Sequence, residues 1–233
     1  MLPMSHTVHD HRLPTSQYQV PIQTIVPNYA ELHCKTNYTF LEGASHPEEL
    51  IQKAAECDYH ALAITDRNSL AGIVRAHIAA RQYEIKLIIG SEMTPVDSLA
   101  AVLLPTNRTS YGQLSRLITE GRRRAPKGQC HFTFDDMAAH SKGLIALIVP
   151  SCTPSQNHPS LDHSRPLTRA NFLPSFSLDQ LTRYRDVFKN RCYLAAELHY
   201  GSDDPSVLEH LIHISKHSQI CLLYTSPSPR DRG

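Results

Sequence analysis

The sequence lacks an excess of charge of either sign: 23 Lys and Arg stand against 22 Asp and Glu, a formal net charge of +1. No overall field draws the chain toward nucleic acid or a membrane surface, so any nucleic-acid contact has to be local. It also lacks paired cysteine motifs. Cys34, Cys57, Cys130, Cys152, Cys192 and Cys221 are scattered without a CxxC spacing, and no basic-then-apolar secretory leader is evident, which reads as reduced thiols. No apolar run approaches the roughly 18–20 residues of a membrane helix. The expectation is a soluble, cytoplasmic protein with no membrane partner. Nor is there a repeat of about 20–50 residues, which argues against a solenoid.

What is present is length for one good core: 233 residues fit a single main domain. Fifteen histidines invite a metal reading. Several of them (His6, His9, His11, His158, His163) fall in polar, proline-containing segments without evident geometry, so their number is weak support.

Residues 1–28 mix His, Pro, Ser, Thr and Gln, with Pro14, Pro21 and Pro27 interrupting any helix, and read as a disordered leader. From Tyr29 short β-type runs alternate with helical segments, the pattern of α/β units around a mainly parallel sheet. Strands are expected at Tyr29–Cys34, Ala61–Thr65, Lys86–Gly90, Leu99–Leu104, Leu144–Val149 and Cys192–Leu198. Helices are expected from about His46 to Cys57, Ser69 to Tyr83, Tyr111 to Glu120, Phe134 to His140, Ser177 to Phe188 and Pro205 to Ser218. Ser45 with Glu48 fits a capping box for the first, and Leu70, Val74, His77 and Ile78 fall near one face of the second. The polar, proline-rich run between residues 150 and 174 reads as a surface insertion or lid within a domain spanning 29–220.

Residues 221–233, CLLYTSPSPRDRG, break the pattern. Ile220–Leu223 can begin another strand, but two prolines and polar residues cannot continue it. The segment resembles a translated sequencing adapter, and we expect a non-native or flexible tail and a truncated domain.

Three strand ends carry the chemistry. The segments YAELHCKTNYTFLEG (Tyr29–Gly43), AITDRNSLAG (Ala63–Gly72) and IIGSE (Ile88–Glu92) each run from an apolar strand into polar residues, as α/β barrels do where they place function at the carboxyl ends of strands. Together with SHPEEL, RAHIAA and the run NRTSYGQLSRLITEGRRR, in that order and spacing, they resemble the polymerase and histidinol phosphatase (PHP) domain. The resemblance is strongest to the N-terminal PHP domain of bacterial error-prone DNA polymerases of the polymerase III alpha-subunit type. It implies an α/β fold, a PHP-type distorted (β/α)7 barrel, here incomplete at its last strand.

The resemblance also implies a metal site, and here the chain departs from the family pattern. Where the family has His-x-His the chain has His33-Cys34-Lys35, with Glu42-Gly43 in place of a later Asp-Gly. Where it has Thr-Asp-His the chain has Thr65-Asp66-Arg67. An ammonium has no lone pair to give, and a guanidinium stays protonated, so Lys35 and Arg67 are degenerate ligand positions. His33, Glu42 and Glu92 are the remnant of the site, which at most would hold a divalent Zn, Mn or Mg ion. Lys35 and Arg67 are expected instead to pair with Glu92, Glu42 or Asp66. His199, after the sixth strand, is expected to line the same mouth. Arg122, Arg123, Arg124 and Lys127 form the dense basic cluster, able to contact phosphates or to be a solvated turn; no aromatic residues interleave it.

The function implied is a structural, catalytically inactive PHP part of a DNA-directed DNA polymerase, serving replication and damage-bypass synthesis. Its partners would be the downstream polymerase domains, DNA bound by the parent protein, and damage-bypass proteins. The alternatives are a free-standing, metal-dependent phosphoesterase and a non-catalytic binding module.

Overall fold

The computed structural model describes residues 29–150, 177–197 and 204–225. The expected leader, the insertion beyond Pro150, the tail beyond Thr225 and His199 lie outside the described residues.

The chain builds two sheets joined at their edges. The first is parallel, with β1 (Ala30–Glu31), β2 (Ala61–Ile64) and β3 (Lys86–Ile89) in that order. The second contains β4 (Ser91–Met93), β5 (Ala101–Pro105), β6 (Leu144–Ile148), β7 (Cys192–Glu197) and β8 (Cys221–Thr225), also in order. Here β4–β5 and β5–β6 pair antiparallel, whereas β6–β7 and β7–β8 pair parallel. The sheet is therefore mixed where the alternating pattern promised mainly parallel pairing.

Gly90 makes the step from one sheet to the other. Its amide still bonds to Ile64, 3.0 Å away, and a Cβ there would collide with Leu104 and Thr65. The chain turns at this point and starts β4 at once, so the sequence shows one apolar run where the structure has two strands. β8 is the other strand outside the expected set. It begins in the segment assigned to the tail, and its register with β7, from Tyr193–Cys221 to Glu197–Thr225, places folded backbone through Thr225.

Helices cover the outer faces. α1 (Pro47–Glu56) and α2 (Ile73–Gln82) cover the first sheet, burying Leu50, Ile51, Ala76 and Ala79 against Leu62 and Ile64. α3 (Arg108–Arg123), α4 (Phe134–Ala139), α5 (Leu178–Phe188) and α6 (Asp204–Ser218) cover the second, around Leu114, Phe134, Tyr184 and Leu211. Ala63, Val102, Leu104, Leu147, Val149 and Ala195 form a third cluster on the opposite faces of their strands. Val102 and Leu104 enter this cluster while Ala101 and Leu103 enter the helix-covered one, the period of two expected for a strand buried on both faces. No closed ladder runs round the described strands. Instead Thr225 of β8 hydrogen-bonds through its hydroxyl to the buried carboxylate of Glu31 on β1.

Two helix starts differ from the sequence reading. α1 is entered one residue later, with His46 as the cap residue, its N–H donating to Glu49 at 2.8 Å. The Ser45 carbonyl is occupied by Asn37, and Glu48 is paired with Arg75 of α2. α2 starts at Ile73 because Ser69 closes a local turn, its hydroxyl accepting from Ala71. Its buried face is consequently Ile73, Ala76, Ala79 and Ala80, while Val74 and Ile78 face solvent. Small side chains let α2 approach α1 and the sheet closely. No helix among the described residues is long and apolar enough to cross a membrane.

Candidate functional site

The carboxyl ends of β1, β2 and β7 and the start of β4 converge on one polar cluster. His33 follows β1 and is 5 % exposed. Its Nδ1 is hydrogen-bonded to Glu197 at the end of β7, and its Nε2 lies 3.1 Å from Glu92 Oε2 in β4. Carboxylates only accept, so both ring nitrogens carry protons and the ring is an imidazolium. Burial works against that charge, but the hydrogen bonds and charges of Glu197 and Glu92 outweigh it and raise the His33 pKa from 6.5 to about 9. Burial would likewise push Glu92 up. His33 and Lys35 reverse the balance and hold it down at about 2.

Lys35 and Arg67 complete the cluster. The Lys35 ammonium is 2.5 Å from Glu92 Oε2 and 2.8 Å from Glu42 Oε2. Arg67 donates to Glu42 through both terminal nitrogens and reaches Glu92 Oε1 at 3.2 Å. The backbone reinforces this placement, because Arg67 and Glu92 form a parallel bridge between the two sheets. Three carboxylates (Glu42, Glu92, Glu197) face three cations (His33, Lys35, Arg67), and the formal charges cancel.

A firm polar frame positions the cluster. Asp66, 1 % exposed, accepts from the Thr36 amide and hydroxyl and from the Thr39 hydroxyl at 2.7–2.8 Å. This fixes the loop after β1, and the loop closes where Gly43 packs so tightly on the Thr36 carbonyl that a Cβ would overlap it. Asp66 is thus a loop organiser, not the partner of Lys35 or Arg67. Glu31, fully buried, accepts from the amides of Leu32 and His33 at 3.0 Å, and so orients the backbone that carries the imidazole.

These residues do not fit a divalent metal. A protonated imidazole has no lone pair to donate, and the two remaining cations occupy the carboxylate oxygens a metal would use. Among the described residues no group of three or more His, Cys, Asp and Glu converges to hold an ion. The arrangement can cross-link strand ends by charge; it has no group free to activate water.

The structure brings His33, Lys35, Glu42, Arg67 and Glu92 together. The basic cluster is separate and divided. Arg122 donates to the Asn68 carbonyl at 2.8 and 3.2 Å, and Arg124 is bound to Asp136 at 2.6 Å. Both are thereby tied to internal acceptors, while Arg123 and Lys127 are exposed. Sequence reasoning missed Glu197, Asp66 as loop organiser, and the Glu31–Thr225 pair. A signal for Glu197 existed: it shares strand parity with Ala195, which lies on the sheet face away from the helices.

Two sheets with outer helices and a polar cluster at their strand ends define a PHP-type α/β protein. The PHP domain family model matches residues 31–198, and the chain belongs to that family. Its relatives include error-prone DNA polymerases of Rhodopirellula baltica, 40 % identical over 84 % of this chain, and of Aromatoleum aromaticum, 45 % identical over 80 %. The chain spans 16 % of the length of each. Among solved structures, one assigned as a metal-dependent phosphoesterase from Bifidobacterium adolescentis has a TM-score of 0.58 at 15 % identity, covering 87 % of this chain and 88 % of that one. An amidohydrolase from Chromobacterium violaceum reaches 0.53 at 15 % identity, with 86 % of each chain covered. These two establish the fold.

Proposed function

We propose that this chain is the PHP module of an error-prone DNA polymerase, and that it serves there as a structural domain without phosphoesterase chemistry of its own. The observation that carries the reading is the place of Lys35 and Arg67. They stand at strand ends where a metal-dependent member needs ligands, and they are held by Glu92 and Glu42. A charge network that links β1, β2, β4 and β7 does by ion pairing what bound metal does in an active site: it holds the mouth in one geometry. The identity to error-prone polymerases over most of the chain supports the parent assignment. Template-directed nucleotide addition, DNA binding and contacts with damage-bypass proteins would then belong to the whole polymerase.

The test has two arms. The chain is incubated with p-nitrophenyl phosphate and Mn2+ or Zn2+, and no turnover above the metal blank is expected. Glu92→Gln is then placed in the full-length polymerase, where primer extension is expected to fall in step with thermal stability. Metal-dependent turnover abolished by His33→Gln would favour the free-standing phosphoesterase, the reading to which the Bifidobacterium fold neighbour lends some support. Salt-sensitive DNA binding lost with Arg123→Ala and Lys127→Ala would favour a binding module.

A further inference from the structure

The last helix carries chemistry that the strand-end cluster does not use. α6 buries Leu211, Ile214 and Ser218, which leaves His213 and His217 exposed and four residues apart. Residues at i and i+4 lie one above the other on a helix. Here the two rings stack, centroids 4.0 Å apart and planes 30° from parallel.

Nδ1 of His217 lies 2.8 Å from the His213 carbonyl oxygen. A carbonyl only accepts, so Nδ1 carries the proton, and in the neutral ring Nε2 keeps its lone pair. A backbone carbonyl that fixes one ring nitrogen and thereby presents the other is the usual outer support of a metal-bound histidine. Paired histidines at i and i+4 are also the spacing by which a single helix grips zinc.

We propose that His213 and His217 form a two-imidazole chelate for a divalent transition metal of the zinc and copper class. Imidazole suits these ions, whereas magnesium and calcium demand oxygen ligands. Zinc takes imidazole nitrogens at about 2.0–2.1 Å, a span that two stacked rings one helical turn apart can bracket. No third His, Cys, Asp or Glu converges on the pair among the described residues, so water fills the other positions and the ion is exchangeable. The site sits where the helix feeds the last strand. Ser215 donates to the Ile220 carbonyl at 2.7 Å, and Arg185 donates to the Ser218 carbonyl at 3.0 Å. A metal bridging the last two turns of α6 therefore stabilises the segment that delivers β8, by the linkage that favours any state able to bind ligand.

The test is equilibrium dialysis of the full chain against zinc chloride, with thermal unfolding followed in parallel. The parent chain is expected to hold one more zinc than either His213→Gln or His217→Gln, and to gain more in unfolding midpoint on zinc addition. His210→Gln is expected to match the parent. Lys216→His combined with His217→Lys keeps the histidine count but moves the imidazole about 100° round the helix, and is expected to bind like the single variants. Far-ultraviolet circular dichroism shows whether each variant is folded. Equal zinc uptake by the parent and both folded single variants, or full uptake by the swapped variant, overturns the proposal.

Discussion

The ammonium of Lys35 lies 2.5 Å from Oε2 of Glu92, the same oxygen that His33 Nε2 meets at 3.1 Å. A carboxylate shared by two cations and reached on its other oxygen by Arg67 is held by charge and not by coordination. Glu92 is nearly buried, so its ionised form depends on those partners.

Removing that carboxylate is therefore costly. Glu92→Gln is expected to destabilise the domain by about 3–5 kcal/mol, the range for breaking a buried pair, because His33 and Lys35 are left without their shared acceptor. Urea denaturation of parent and variant measures it. A loss below about 1 kcal/mol would mean that the cluster behaves like an exposed salt bridge.

The pH dependence follows from the two shifted groups. His33 has its folded pKa raised from 6.5 to about 9, so its contribution is fully present below 6.5 and disappears as pH rises through 9. Glu92 has its folded pKa depressed from 4.5 to about 2, so its contribution is present above 4.5 and lost as pH falls through 2. Stability from the cluster is expected to be greatest between pH 4.5 and 6.5. It should decline on the alkaline side by on the order of 3 kcal/mol. Urea midpoints at pH 6 and pH 9.5 test this, and His33→Gln should flatten the alkaline decline.

The loop that carries Glu42 depends on a residue without a side chain. Because a Cβ at Gly43 overlaps the Thr36 carbonyl, Gly43→Ala should displace the loop and cost more than about 2 kcal/mol. Amide exchange at Thr39 and Gly43, whose N–H groups bond to the Thr36 and Thr39 carbonyls, should quicken before global unfolding. Unchanged exchange would show that the loop absorbs the methyl group.

Thr225 ties β8 to β1 through Glu31. Thr225→Val keeps the shape and removes the donor, leaving a fully buried carboxylate one partner short. A loss of about 1–3 kcal/mol is expected, with faster hydrogen exchange along β8 as its signature. If exchange in β8 stays at the parent rate, the hydroxyl is not what fastens the last strand.

Much of the site was legible because each strand end is marked by an apolar run giving way to charge. His33, Arg67 and Glu92 could be placed at one end of the sheets from that pattern, and Lys35 and Arg67 were readable as cations that would seek carboxylates. Glu197 was harder to find. Its contact with His33 spans 164 residues, and no local pattern distinguishes an inward Glu at a strand end from a solvated one. The face of α2 was misread for a related reason. Periodicity favours large apolar residues such as Val74 and Ile78, but close packing against α1 selected the alanines. β4 was hidden because Gly90 changes sheets without interrupting the apolar run.

The most direct test of the central claim is the ring-proton NMR signal of His33, assigned with His33→Gln and followed through a pH titration and then through addition of Mn2+. An ion-paired imidazolium titrates near pH 9, and its signal stays sharp when the paramagnetic ion is added. Titration near 6.5 together with broadening by Mn2+ would show a neutral histidine that binds metal, and would contradict the account.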